Sequence, residues 1–149
     1  MLYATKGILE STANSAAIFN ENEEMDVLMQ IWDKAAVAKI NVKKQPGVSV
    51  SDTNEILAHM DTYKEFLKQQ LQLLDANIIV CCDNRSGILS TVKELAYPDA
   101  IQLTDEVWYD KSSNAMLIES YHTNPRRSYE FFYDRVINNY VAALAKINA

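Results

Sequence analysis

Apolar positions recur at helical spacing in several stretches. In "NEEMDVLMQIWDKA", residues 22–35, Met25, Leu28 and Trp32 lie about one turn apart, and acidic residues near the start suit a helix dipole. Residues 53–74 carry the clearest stripe, Ile56, Met60, Tyr63, Leu67, Leu71 and Leu74, with Asp52 or Thr53 as the cap. "ILSTVKELA" predicts a short helix beginning near Ser86. Asn124-Pro125 opens a last helix whose buried stripe is Phe132, Val136, Tyr140 and Leu144. Between these, other stretches read as strands. "AVAKINV" at 36–42 alternates and is rich in β-branched residues. "ANIIVCC" at 76–82 is continuously apolar, as expected of a strand covered on both faces. Residues 106–109 and 115–121 form two further candidates joined by a polar turn. "KKQPGVSVSD" at 43–52 is a loop punctuated by Pro46 and Gly47. Residues 10–20 show weak periodicity, and "MLYATKG" is the one early stretch that could serve as a strand.

Helices and strands therefore alternate along the chain. That order predicts a single layered α/β domain over residues 1–149 with a mostly parallel central sheet, helices packing on it as a three-layer sandwich. Residues 1–35 would form a helical N-terminal region and 36–149 the core. No repeat, low-complexity tract or linker interrupts it. In such sheets ligands bind beyond the carboxyl ends of strands. The rule selects Asn41, the pair Asp83 and Asn84, and His122.

Composition narrows the classes. The chain has 149 residues, 48% hydrophobic and 23% charged, enough for one apolar core. No run approaches the roughly 18 apolar residues of a membrane span. The N-terminus lacks a basic region followed by an apolar core, so a cytoplasmic location is the expectation. Cys81 and Cys82 are neighbours, which on a strand point to opposite faces and are poorly placed to share a bond or a metal. No metal or cofactor is implied. The net charge of −6 argues against general nucleic-acid affinity, yet Lys43, Lys44, Arg126 and Arg127 sit in predicted loops and leave room for a local phosphate-binding face.

Each rim position has a chemical use beside a structural one. An amide at Asn41 donates and accepts at once, as reading a nucleobase edge requires, and also suits a loop backbone. "DNRSG" at 83–87 precedes a helix start that can cradle an anion or simply cap the helix. His122 can donate a hydrogen bond to developing negative charge, with Asp83, Glu119 or Asp134 as candidates to orient it, or it can end a strand. Arg126 and Arg127, beside Ser128, can hold a phosphate or form a solvated surface pair. No Gly-x-Ser-x-Gly occurs, so a hydrolase triad has no support.

Taken in order, "AVAKINVKKQPGVSVSD", "LDANIIVCCDN" and "LIESYHTNPRRSYEFFYDR" resemble the uracil-DNA glycosylase superfamily, in particular its divergent bacterial members, over roughly residues 35–140. The resemblance implies a glycosylase-like core in which Asn41 reads the base, with Asn84 beside it. It matches His122 to the motif histidine that stabilises the leaving anion. Lys43, Lys44, Asn124, Arg126, Arg127 and Ser128 would contact DNA or another phosphate. Two features depart from the family. Thr123 and Asn124 stand where a proline and a serine usually follow the histidine, and residues 1–35 contain no match to the motif that supplies the water-activating residue. The expectation is thus a nucleobase- or nucleic-acid-recognising protein of that superfamily, with N-glycosidic hydrolysis as its reaction. The alternative is an inactive binding or interaction module that oligomerises through an exposed sheet edge. The gap left by a missing central strand is then either partly filled by "MLYATKG" or covered in a homodimer whose two copies shield each other's edge.

Overall fold

The computed structural model describes residues 1–43, 52–82, 87–121 and 128–149. Its helices are α1 (Leu2–Glu10), α2 (Met25–Lys34), α3 (Thr53–Thr62), α4 (Lys64–Leu74), α5 (Ile88–Ala96) and α6 (Tyr129–Ile147). Its strands are β1 (Ile78–Cys82), β2 (Ile101–Thr104), β3 (Val107–Asp110) and β4 (Ala115–Ser120). The sheet runs β1-β4-β3-β2. Among the described residues only β1 and β4 are parallel; β3 is antiparallel to both β4 and β2. The expected mostly parallel sheet is therefore corrected to an open mixed one. The reason is local: the two-residue Asp105-Glu106 link and the turn at 111–114 are too short for crossovers, so they must reverse the chain.

Strand β4 is buried along its whole length and organises the core. By the pleat, its side chains alternate between two apolar layers. Ala115 and Leu117 pack with Met60, Leu67, Leu71, Leu89 and Val92 of α3, α4 and α5. Met116 and Ile118 face Val107 and Ala143, the latter on α6. Strand β1 divides the same way. Cys81 joins the α3–α5 layer, whereas Cys82 packs against the cluster formed by α1 and α6, and neither forms a disulfide among the described residues. Both faces of β1 are covered, as its apolar run implies, but it lies at the sheet edge and stays half-buried at most positions.

Three expected elements differ. "MLYATKG" is the beginning of helix α1, not a strand. It lies on α6, where Ala4 meets Phe132, Tyr133, Val136 and Ile137. Residues 36–42 form no strand. Ile40 and Val42 nonetheless pack on the α3–α5 cluster while Asn41 between them is exposed, so the alternating pattern serves burial without a backbone ladder. The single helix expected over 53–74 breaks at Tyr63, whose φ of −111° and ψ of 23° leave the helical region. Met60, Leu67 and Leu71 keep the buried stripe across that break, while Tyr63 and Leu74 are exposed. Strand β2 was not expected at all. No helix among the described residues is long and apolar enough to cross a membrane.

The β3–β4 turn is fastened by Asp110. Its buried carboxylate accepts from the Ser112 hydroxyl at 2.6 Å, the Ser112 N–H at 2.8 Å and the Ser113 N–H at 3.4 Å. The Ser112 hydroxyl, then the two backbone donors, hold its pKa below the ordinary value against the opposing effect of burial. A depressed folded-state pKa stabilises the fold above the unfolded value of 3.8, and the contribution is lost as pH falls through the folded value. Asp110→Ala is therefore expected to cost about 1 kcal/mol near neutral pH. That difference should shrink toward zero in urea titrations carried down through the acid range. A difference that persists undiminished would exclude the carboxylate as its source.

Candidate functional site

The parallel pairing of β1 and β4 builds a rim. Cys82 and Ser120 are register partners, so both strands end level with each other. Each end leads through a short segment to a helix start. Beyond 83–86 stands Gly87, N-cap of α5, at a φ of 102° that side-chain-bearing residues rarely adopt. Beyond 122–127 stands Ser128, N-cap of α6, whose hydroxyl accepts from the Phe131 N–H at 3.2 Å. Two helix N-termini thus follow two parallel strand ends, a combination that favours negatively charged ligand groups.

The segment around Asn41 is drawn to the same end of the molecule. Lys43 Nζ binds Glu55 Oε1 at 2.6 Å, in the first turn of α3. A Cβ on Gly87 would stand 3.6 Å from Leu57, also in α3. Residues 41–43 are thereby linked through α3 to Gly87 at the start of α5, five positions after β1 ends.

Of the residues the sequence singles out, Asn41, Lys43 and Ser128 are described. Asn41 is exposed, which leaves its amide available to a ligand. Lys43 is only 12% exposed and its charge is matched by Glu55, so it enters the site as part of an ion pair and not as a free cation. Ser128 serves first as a helix cap. His122, Asn84, Lys44, Asn124, Arg126 and Arg127 lie outside the described residues, as do Asp83 and the Pro46-Gly47 loop. Two of the carboxylates considered as partners for His122 can be compared. Glu119 is buried at the rim end of β4, on the same pleat face as Leu117, whereas Asp134 is exposed on α6. His59, the other histidine, is buried in α3 with its ring 4.5 Å from that of Tyr63.

A polar group that sequence reading did not single out lies at the exit of β4. Arg135 of α6 donates to Glu106, Asn139 donates to the other Glu106 oxygen at 2.6 Å, and the Arg135 guanidinium lies 4.3 Å from the centre of the Tyr121 ring. The available signal was Arg135 and Asn139 standing one turn apart beside the apolar positions Phe132, Val136 and Tyr140 of α6. Comparison of the chain with family models, with curated proteins and with solved structures finds no match.

Proposed function

We propose that the protein is a uracil-DNA glycosylase-like domain that recognises a nucleobase, free or within nucleic acid, on the rim where β1 and β4 end. Helices on both faces of the sheet suit the three-layer arrangement of that fold. The observation that carries the reading is the level ending of two parallel strands, each feeding a helix N-terminus, with residues 41–43 tied to α3 beside one of them. In this reading Asn41 reads the base edge, where an exposed amide can both donate and accept. His122 stabilises negative charge on the base, and the segment 124–128 meets phosphate. If the same residues act on DNA, the reaction is N-glycosidic hydrolysis of a flipped base.

Recognition is ranked above hydrolysis for a chemical reason. The family's water-activating motif has no counterpart in residues 1–35, and residues 2–10 form a helix instead of an early strand. Positioning a general base is worth roughly a hundred- to ten-thousand-fold in rate. A second reading, a module that associates through its sheet edge, is favoured by one feature. Among the described residues β1 pairs only with β4, which leaves Ile78, Ile79 and Val80 with an open edge.

The test is a thermal-shift titration with uracil and the other bases, read beside uracil release from single- and double-stranded DNA. Uracil is expected to raise the parent Tm, and Asn41→Ala to abolish the shift while leaving the unliganded Tm within about 2 °C, as for an exposed residue. An equal shift in Asn41→Ala would remove Asn41 from the site. A parent that shifts with no base and runs as a dimer by light scattering at low micromolar concentration would favour the edge-association reading.

A further inference from the structure

Helix α2 buries only Leu28, whereas every other helix buries two residues or more. Its close neighbour among the described elements is α1. Ile31 and Trp32 are half-buried, and Met25 and Met29 are 56% and 43% exposed. Met25, Met29 and Trp32 stand at i, i+4 and i+7 and so form one row along the helix. Asp26, Gln30 and Asp33, each one residue further on, form a second row directly beside it, on the side away from Leu28. A helix of ten residues is marginal by itself, and Glu24 at its N-cap makes no side-chain capping bond. Covering the open methionine row would therefore add order as well as burial.

Charge around this row has one sign. Residues 21–33 contain Glu21, Glu23, Glu24, Asp26 and Asp33 and no basic residue, in a chain of net charge −6. Glu23 is matched by Lys6 at 3.2 Å. Glu21, Glu24, Asp26 and Asp33 are exposed and form no ion pair among the described residues. The sign selects the occupant. A second copy would set these carboxylates against themselves, and the phosphates of nucleic acid or of an anionic lipid surface would be repelled likewise. A cationic partner is attracted. Methionine is unbranched and polarisable, so the row can adapt to the apolar face of an incoming helix.

We propose that the Met25–Met29–Trp32 row of α2 docks a basic amphipathic helix of a partner protein, with the partner's lysines or arginines over Asp26 and Asp33. The ten residues of α2 span about 15 Å. The partner thus needs about three turns, with apolar residues at i, i+3 or i+4, and i+7. The inference does not depend on the base-recognition reading.

The test uses the full chain and a fluorescein-labelled helical peptide of leucine and lysine, its leucines on one face, with Kd from anisotropy. The parent is expected to bind it, less tightly as salt rises, and not to bind the counterpart with glutamate for lysine. Amide exchange should slow in α2 on binding. Met25→Gln with Met29→Gln should keep the parent Tm, as for exposed residues, and weaken Kd about ten-fold. Asp26→Asn with Asp33→Asn should weaken Kd several-fold and flatten its salt dependence. Phe66→Gln with Leu73→Gln alters an exposed apolar pair on α4 and should bind within two-fold of the parent. If the methionine variant does not fold, the aspartate variant and the exchange pattern decide the matter. A parent that does not bind, or that binds the glutamate peptide equally, overturns the proposal. So does a methionine or aspartate variant within two-fold of the parent, an α4 variant weakened as much as the methionine one, or slowed exchange confined to other helices. A parent dimer by light scattering that the methionine variant dissociates would give the row to a second copy and overturn it as well.

Discussion

Gly7→Leu is expected to strip α1 from the domain. A Cβ at Gly7 would stand 2.6 Å from both Cε2 and the hydroxyl oxygen of Tyr133, and 2.7 Å from Cδ1 of Ile137. Those atoms have little freedom to retreat. The Tyr133 hydroxyl donates to the Ala17 carbonyl at 3.0 Å, its ring packs 5.3 Å from that of Phe19, and Ile137 is 1% exposed. Two effects oppose each other in the milder change Gly7→Ala. Alanine gains roughly 1 kcal/mol of helix propensity over glycine. Forcing a methyl into a filled core costs about 1–3 kcal/mol. Because the contacting ring is pinned, the steric cost lies toward the upper end of that range and wins, and a net loss of up to about 2 kcal/mol is expected, a Tm fall of up to about 8 °C for a chain of this size. Leucine has no room at all. Amide exchange should then show α1 unprotected while β4 and α6 stay protected. The contact can be isolated by a double-mutant cycle. Tyr133→Leu removes the blocking ring, so Gly7→Ala should cost less in that background than in the parent. Equal costs would show that the Tyr133 contact is not what excludes a side chain at position 7.

The same helix shows where local pattern stops being informative. "MLYATKG" contains no long apolar stripe, and an isolated helix of nine residues is marginal in water. It exists because Ala4 and Gly7 are small enough to let it lie close on α6, a tertiary fact that periodicity does not carry. Residues 36–42 err in the other direction. Their alternation correctly marks Ile40 and Val42 as core-facing, but a strand also needs a neighbour with matching backbone groups. Strand β2 is four residues long with Ile101 exposed at the sheet edge, and its turn lacks the Asn-Gly or Asp-Gly signature of a tight hairpin. By contrast, β1, β3 and β4 lie close to where the pattern puts them, because each buries a face that the sequence spells out, and α2 forms where expected although only Leu28 of its stripe is buried and Met25 is exposed. The candidate site divides likewise. The strand-end rule reaches the ends of β1 and β4, since it depends only on chain direction, but it selects Asn41 from a strand that does not form. It does not reach Lys43–Glu55 or Arg135–Glu106, whose partners come from distant parts of the chain.

Leu117→Ala should be the most damaging single truncation at the sheet, with a loss of about 2–5 kcal/mol. The side chain is 0% exposed, at the centre of the strand that belongs to both apolar layers. Its layer contains Met60, Leu67, Leu71, Leu89 and Val92, drawn from three helices. A cavity there cannot be filled by one side chain shifting, because the neighbours are themselves anchored on different helices. The comparison Leu73→Ala removes the same atoms from a residue that is 86% exposed on α4, and should change stability by less than about 0.5 kcal/mol. The faces can also be told apart. Ile118 points to the layer that holds Ala143 of α6. Leu117→Ala should therefore raise amide exchange first in α4 and α5, and Ile118→Ala first in α6. Since α5 begins just after β1 ends and α6 just after β4, each variant loosens one side of the rim. If base recognition uses both sides, either truncation should weaken uracil binding beyond what its fall in folded population explains. If only the Leu117 variant does so, recognition belongs to the α3–α5 side, where Asn41 and Lys43 lie.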